Sequence, residues 1–476
     1  MSVTTRPSRP AGWDTPFASV SLYALATVLA VAIGILISGL GTGSAIVLPF
    51  AMVGAVILGV MALVRFELFV AAVLILRSAL DSTKIHTSGN LNATNGSPSG
   101  LDPASILAVL FMVASLVYYA AERRSAREVP HSRSPIRVPL LCFLGAGLIS
   151  VLGSTDPKVS ILECLRVSAV VVMVIVLERL LVKESNLRRL IQATFYSAII
   201  PMSFSAIQAV TGKGQSIGGF SRIQGTFLHP NPFSIYLTFI IIMAVAMWPH
   251  MSGRAQVPLL ILIGGCSFAL LLTYTRSSYI ATFIGVFIVG IYQSKRLVGT
   301  LLVAVLVIAI AVPSVSQRFS DLQRSQRFSG AAGNSLVWRF SYWKQVASLA
   351  NATPVNGIGL KMIEQRTDDA KNAHNDFLRV YVETGLLGLA AYASLLIALG
   401  AVSRRALKKA KRGYHRGIAI GFFGCYVAFV ILSMVSNVIS QVVILWYFFT
   451  FAVAAFAVSR YGEQEELEGA PLAIGQ

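Results

Sequence analysis

Apolar runs of about 20 residues recur along nearly the whole chain, and few folds tolerate such a pattern. A helix of that length rises ~30 Å, the thickness of a bilayer's hydrocarbon core. Inside lipid every backbone N–H and C=O must find its partner within the segment, which makes helices the natural solution for consecutive apolar runs. The expected fold is therefore an all-α polytopic membrane protein of about 12–14 transmembrane helices. Composition agrees: 55% of residues are hydrophobic, only 12% are charged, and the mean hydropathy is +0.72. A soluble domain carries about twice that charged fraction. A soluble globular enzyme, a disordered chain and a fibrous protein are all excluded.

Candidate spans run over 18–39, 44–64, 66–80, 104–121, 138–153, 159–182, 190–210, 231–248, 257–274, 277–292, 297–312, 381–402, 417–435 and 439–459. Spans 66–80 and 138–153 are short, and the first of them carries Arg77. The first run is long enough to be a retained anchor. With fourteen spans both termini face the same side, and the basic residues choose which. With the N-terminus cytoplasmic, 22 of the 39 Lys and Arg fall in inner segments and five in short outer loops. That asymmetry places both termini in the cytoplasm. The formal charge of +19 is thus a signature of orientation, and no nucleic-acid partner is expected. Cys142, Cys164, Cys266 and Cys425 all lie in apolar runs and read as small buried hydrophobes.

Three outer segments are candidates for chemistry: 81–103, rich in Ser, Asn and Gly, then 211–230, and the long 313–380. In the last, residues 335–350 put Leu336, Phe340, Trp343 and Ala347 on one helical face, with Trp338 and Tyr342 suiting a membrane interface. Arg339 falls about 60° from the centre of that face. It is either a cation turned toward a cleft or a stem snorkelling to headgroups. Arg276, in TYTRSSYIA, sits between two apolar runs with almost no loop, so its guanidinium emerges at the outer face. Arg222, in SRIQGTFLHPNP, precedes the next span. Arginines converging on one cleft suit a diphosphate, whose oxygens match the guanidinium fork; the alternative is isolated interfacial anchors. His374 begins HNDFLRVYVETGLLGL at the membrane edge, followed by Asn375 and Asp376, which could orient its ring. A neutral imidazole there could accept a proton from a sugar hydroxyl; the alternative is a surface histidine. Gly357 and Gly359 upstream allow a close-approach turn. The outer histidines His86, His229 and His374 lack metal-ligand spacing, so no metal is expected.

Taken together, RIQGTFLHPNPFSIYL (222–237), LTYTRSSYIA (272–281), the run 338–360 and AHNDFLRVYVETGLLGL (373–389) resemble the O-antigen ligase and polymerase superfamily of bacterial envelope glycan enzymes. The resemblance divides the chain into N-terminal helices (1–199), a ligase-like core with its extracytoplasmic loop (200–402), and a C-terminal part (403–476) with a basic loop, two helices and an acidic tail. It implies a GT-C-like architecture in the cytoplasmic membrane, with the active site outside, and no nucleotide sugar, metal or other cofactor. The implied donor is an undecaprenyl-diphosphate-linked oligosaccharide, and the acceptor a glycan or lipid-linked glycan. Other envelope polysaccharide assembly proteins are implied as partners. On that pattern His374 is the catalytic base, Arg222 and Arg276 hold the donor diphosphate, and Arg339 and Asn375 bind substrate. Transfer would invert the anomeric centre. Two departures stand out: serines in TRSS where many relatives carry small glycine-rich residues, and an end soon after the last span, without the soluble repeats of relatives that glycosylate proteins. The rival expectation is a transporter of an inorganic anion or a lipid-linked glycan. It needs ionisable residues lining a path through the spans, for which Arg77, Glu163, Arg166 and Glu178 are the candidates.

Overall fold

A computed structural model describes residues 44–82, 103–124, 133–217, 220–311, 335–367 and 372–468. The first expected span, His86 and nearly all of the loop 81–103 lie outside them. Among the described residues, the chain is helical wherever it is strongly apolar. In the N-terminal part the helices are α1 (Ser44–Val64), α2 (Phe66–Arg77), α3 (Pro103–Arg124), α4 (Arg137–Ser150), α5 (Pro157–Leu180), α6 (Glu184–Tyr196) and α7 (Ile199–Thr211). A hairpin of β1 (Gln215–Ile217) and β2 (Phe220–Arg222) follows, paired antiparallel with Gln215 opposite Arg222. Then come α8 (Pro230–Met247), α9 (Gly253–Leu272), α10 (Arg276–Gln293) and α11 (Lys295–Ala311). The long loop holds α12 (Ser335–Ser348) and the single turn α13 (Ile363–Arg366), and the chain closes with α14 (Asp376–Lys409), α15 (Gly413–Val435) and α16 (Val442–Glu468).

Every expected span from residue 44 onward coincides with a helix, or with the α6–α7 pair broken at Ser197–Ala198. Among the described residues seven stretches are long and apolar enough to cross a membrane: Pro157–Leu180, Glu184–Thr211, Pro230–His250, Gly253–Leu272, Asp376–Lys409, Gly413–Val435 and Val442–Gln464. The protein is an all-α multi-pass membrane protein. With 12 and 14 residues, α2 and α4 rise only ~18 and ~21 Å, so neither crosses ~30 Å of hydrocarbon alone. Arg77 marks the end of α2 and is buried there.

The last span is the axis of the bundle. Its apolar window is 94% buried, against 22% for α9 at the periphery. Around it α5, α14 and α15 pack, and aromatic rings fill the contacts: Phe429 stacks on Phe448 at 4.3 Å, and Tyr236 meets Tyr447 edge-on at 4.9 Å. The Tyr447 hydroxyl donates to the Leu74 carbonyl at 2.7 Å, joining the axis to α2. Outside, Val257, Leu260, Ile261 and Phe268 of α9 are exposed apolar side chains, as a lipid-facing surface requires. Cys164, Cys266 and Cys425 are buried as expected, whereas Cys142 points outward from α4; all four are free thiols. On a helix with lipid on one side, an apolar neighbourhood in sequence does not by itself imply burial in protein.

The connections gather at two opposite ends of the bundle. At one end Arg405 grips Glu463 with two hydrogen bonds of 2.8 and 2.7 Å, His415 lies 3.4 Å from Glu184, and Tyr461 donates to the Leu181 carbonyl. At the other, Arg366 donates to the Gly153 carbonyl at 3.0 Å, Arg222 to that of Thr273, and Arg339 to that of Val435. The first end collects segments read as inner, the second those read as outer.

Candidate functional site

The hairpin turns the chain back so that β2 ends at the close of α9. Ile223 N–H donates to the Leu272 carbonyl at 3.2 Å, and the Arg222 guanidinium then reaches into the α9–α10 turn. Its Nε donates to the Thr273 carbonyl at 2.7 Å, and its Nη2 to Thr275 Oγ1 at 2.8 Å and Asn231 Oδ1 at 2.9 Å. Arg222 is buried, and these bonds hold the tight turn in which Tyr274 adopts φ +48°. The RIQGT stretch is pinned in turn by Gln208, whose Oε1 accepts from the Gln224 and Gly225 N–H groups. His229 caps α8, its Nδ1 accepting from the Asn231 N–H at 3.3 Å. Burial, and then the positive charge of Arg222, push its pKa down from the usual 6.5 to about 4.

That turn delivers Arg276 as the first residue of α10, with Thr275 at the N-cap. Arg339 comes from α12. The face read from the sequence is not the one that enters the core: Phe340 is 61% exposed and packs edge-on against Trp343, while Tyr342 and Val346 are buried. Tyr342 pairs with Thr367 Oγ1 at 2.8 Å, and Arg339, a turn away, donates from Nη1 to the Val435 carbonyl at 2.9 Å. The face that turns inward, Tyr342, Val346 and Ala350, is a second apolar stripe at i, i+4 and i+8 that joins a buried cluster with Ile358, Met362 and Val382. Burial first, and then the Arg276 charge, hold Arg339 below the ordinary arginine range, so each cation lies within the other's field. It stays protonated, since arginine does not lose its charge in proteins.

His374 is fixed on both sides. Trp343 Nε1–H donates to the Ala373 carbonyl at 2.6 Å, and Asn375 caps α14, its Oδ1 accepting from the Leu378 N–H at 3.1 Å. Between them His374 sits at φ +51°, a left-handed conformation that a side chain of this kind adopts only when its surroundings impose it. Neither Asn375 nor Asp376 is the ring's hydrogen-bond partner in the described contacts. Asp376 is fully buried, and its Oδ2 accepts from the Val438 and Ile439 N–H groups at 3.0 and 3.2 Å. The ring's Nδ1 instead faces Asn437 Nδ2 at 3.3 Å. Asn437 follows α15 and escaped the sequence reading, because a lone Asn in a short connection carries no motif. The signal that could have found it is SNVIS, a polar interruption between two long apolar runs.

The glycines upstream of His374 have a structural task. Ile358 and Gly359 donate to the carbonyls of Val382 and Glu383 at 3.0 Å, and Leu386 donates to that of Pro354 at 2.9 Å. The segment 354–359 is thereby laid along a break in α14 at Gly385, whose φ of 66° and ψ of −165° are not helical. Beneath the break Arg379 and Glu383 form a fully buried ion pair at 2.9 Å.

With this geometry in view, similarity to known proteins becomes informative. Residues 258–393 match the O-antigen ligase family model. No curated protein matches the chain. The matched stretch runs from α9 through the break in α14, and so contains Arg276, Arg339, His374 and Asn375; Arg222 and Asn437 lie outside it. Over that stretch the resemblance read from the motifs holds: residues 258–393 are similar to the O-antigen ligase family, within a chain of membrane-spanning helices. Of the four residues named for a transport path, Glu163, Arg166 and Glu178 have local partners. Glu163 pairs with Arg166 one turn on at 3.1 Å, and Glu178 accepts from the Ser134 N–H at 3.0 Å and faces Arg137 at 3.6 Å.

Proposed function

We propose that the chain is a membrane glycosyltransferase that transfers or polymerises an undecaprenyl-diphosphate-linked oligosaccharide at the outer face of the cytoplasmic membrane. The observation that carries this reading is that one connection holds both a cation and a histidine: Arg339 is tied to Val435 and His374 to Asn437, with Arg339 also feeling the charge of Arg276. In the reaction, His374 takes the proton of the acceptor hydroxyl as its oxygen attacks the anomeric carbon. The bond from that carbon to the diphosphate oxygen breaks on the opposite face, and the polyprenyl diphosphate departs with the electron pair. Attack from the face opposite the leaving group inverts the centre. Arg276 and Arg339 neutralise the charge that builds on the leaving diphosphate, the kind of interaction that contributes most to such catalysis. General-base assistance adds about 10²–10⁴-fold.

Two roles differ from those that resemblance implied. Arg222 supports the turn that presents Arg276, so its part in donor binding is indirect. Asn375 orders the start of α14 and acts on substrate through His374. The polyprenyl tail would lie against the outward apolar faces of the helices. The charge asymmetry between the two ends of the bundle supports an extracytoplasmic site with cytoplasmic termini.

The test uses purified protein in lipid with a diphosphate-linked oligosaccharide donor, following the release of free undecaprenyl diphosphate as acceptors are added one at a time. His374→Ala is expected to abolish release while donor binding persists, and Arg276→Ala to weaken both. A ladder of products identifies a polymerase, and a single addition to a foreign acceptor a ligase. Wild-type turnover by His374→Ala at neutral pH would remove the base assignment. Anion flux with no release under any acceptor would replace the enzyme with a transporter.

A further inference from the structure

Asn437 belongs to none of the motifs and lies beyond the matched residues, yet it is the ring partner of His374. The residues around it are immobilised independently. Val435 is held through its carbonyl by Arg339, and Val438 and Ile439 through their N–H groups by the buried carboxylate of Asp376. Asn437 itself is 7% exposed, with one end of its amide against His374 Nδ1 and the other, Oδ1, buried without a hydrogen-bond partner. The two ends of a carboxamide have the same shape, and their assignment follows from the proton each must give or receive. With Nδ2 toward the ring, Nδ1 accepts, the ring proton sits on Nε2, and Nε2 has no lone pair to offer. With the amide turned over, Oδ1 accepts from Nδ1–H and Nε2 is left bare. Either orientation pairs one amide end and leaves the other buried, so packing does not choose. A ring that must take a proton does.

We propose that Asn437 is the positioning residue of His374: its amide oxygen accepts the Nδ1–H and holds the neutral ring in the tautomer whose bare Nε2 receives the acceptor's proton. The consequence for turnover rests on the base role given to His374; the tautomer itself does not. The connection 435–439 thereby orients both the cation of Arg339 and the ring of His374, so the site is completed by residues outside the matched domain.

The experiment uses full-length protein in lipid nanodiscs with ¹⁵N-labelled histidine, the His374 signals being assigned by their loss in His374→Ala. At neutral pH the wild-type ring is expected to carry its proton on Nδ1, and Asn437→Ala to shift the population toward Nε2–H. Turnover of Asn437→Ala is expected to fall about 10–100-fold, the size seen when an orienting partner of a functional histidine is lost, with the KM for donor unchanged. Where Asn437→Ala does not fold, the isosteric Asn437→Asp carries the test. Its carboxylate stabilises the imidazolium, so the acid limb of the kcat profile should move to higher pH. A wild-type ring protonated on Nε2, or an acid limb unmoved in Asn437→Asp, overturns the proposal. If His374→Ala retains turnover while the wild-type ring is Nδ1-protonated, the base reading fails and the Asn437 contact stands.

Discussion

At the scale of single residues, the sequence singled out the charged groups and the structure shows which groups they bond. Arg222 shows the difference: an arginine near an outer loop reads as a ligand, but its Nε and Nη2 are bonded to Thr273, Thr275 and Asn231. Arg222→Ala would leave those acceptors buried with a cation-sized hole, so it should cost about 2–4 kcal/mol of stability in addition to activity. Arg222→Lys should rescue little, because an ammonium cannot reproduce the fork. Thermal unfolding in detergent beside donor-binding measurements checks this; a variant of normal stability and weak donor binding would return Arg222 to the ligand role. His229 supplies a pH dependence. Its folded pKa of about 4 lies below the usual 6.5, so below pH 6.5 the unfolded chain binds the proton and the folded one does not. Its contribution to stability is complete above that value and is lost as pH falls toward 4, at about 1.4 kcal/mol per unit at most. His229→Asn keeps an N-cap and does not titrate, so its melting temperature should decline less between pH 6.5 and 4 than the wild type's.

At the scale of elements, hydropathy located helices and missed how they are broken and rotated. The span 381–402 is one apolar stretch in sequence, but Gly385 interrupts it because the segment 354–359 needs its backbone groups. A Cβ on Gly385 would stand 2.1 Å from the Val355 carbonyl oxygen, and one on Gly357 would stand 2.4 Å from backbone atoms of Glu383 and Thr384. Gly385→Ala should therefore cost about 3 kcal/mol or more and undock this segment. Limited proteolysis should then cut within 335–367 while the membrane helices remain protected; an unchanged cleavage pattern would show that the break is adaptable. In α12 the apolar face counted from the sequence carries the exposed Phe340. Tyr342, Val346 and Ala350 turn inward instead, joining an apolar cluster with Ile358 and Met362 while Thr367 pairs with Tyr342 and Val435 accepts from Arg339; period alone does not choose between two apolar faces. Trp343→Phe removes the bond to the Ala373 carbonyl and keeps the ring. It should lower turnover severalfold with little change in melting temperature.

At the scale of the whole molecule, the alternation of short loops predicts two ends, and the bundle has them. Single cysteines at Lys213 and at Lys411, in a background without the four native thiols, should label from opposite sides of sealed vesicles. Labelling of both from one side would overturn the parity, and with it the placing of the site outside. The buried axis has a separate consequence. Val442–Gln464 is surrounded by protein over 94% of its apolar window, so a polar substitution such as Ala454→Asn should impair folding far more than Ile261→Asn on the exposed face of α9. Yield and monodispersity in detergent would measure the difference.

Sequence alone sufficed for the class of molecule and, among the described residues, for the positions of the helices, and it predicts the sidedness of their ends. These follow from one-dimensional quantities: the length of apolar runs against bilayer thickness, and the side on which charge accumulates. Its motifs also singled out Arg222, Arg276, Arg339 and His374 as the residues of interest. Which partners hold Arg222 and Arg339, and that Asn437 meets the histidine ring, emerged from the tertiary structure alone. Thr273, Val435 and Asn437, which meet Arg222, Arg339 and His374, lie 51, 96 and 63 residues away from them along the chain. A hydrogen bond needs its donor and acceptor within about 3 Å, and a separation along the sequence does not fix that distance until the chain has folded.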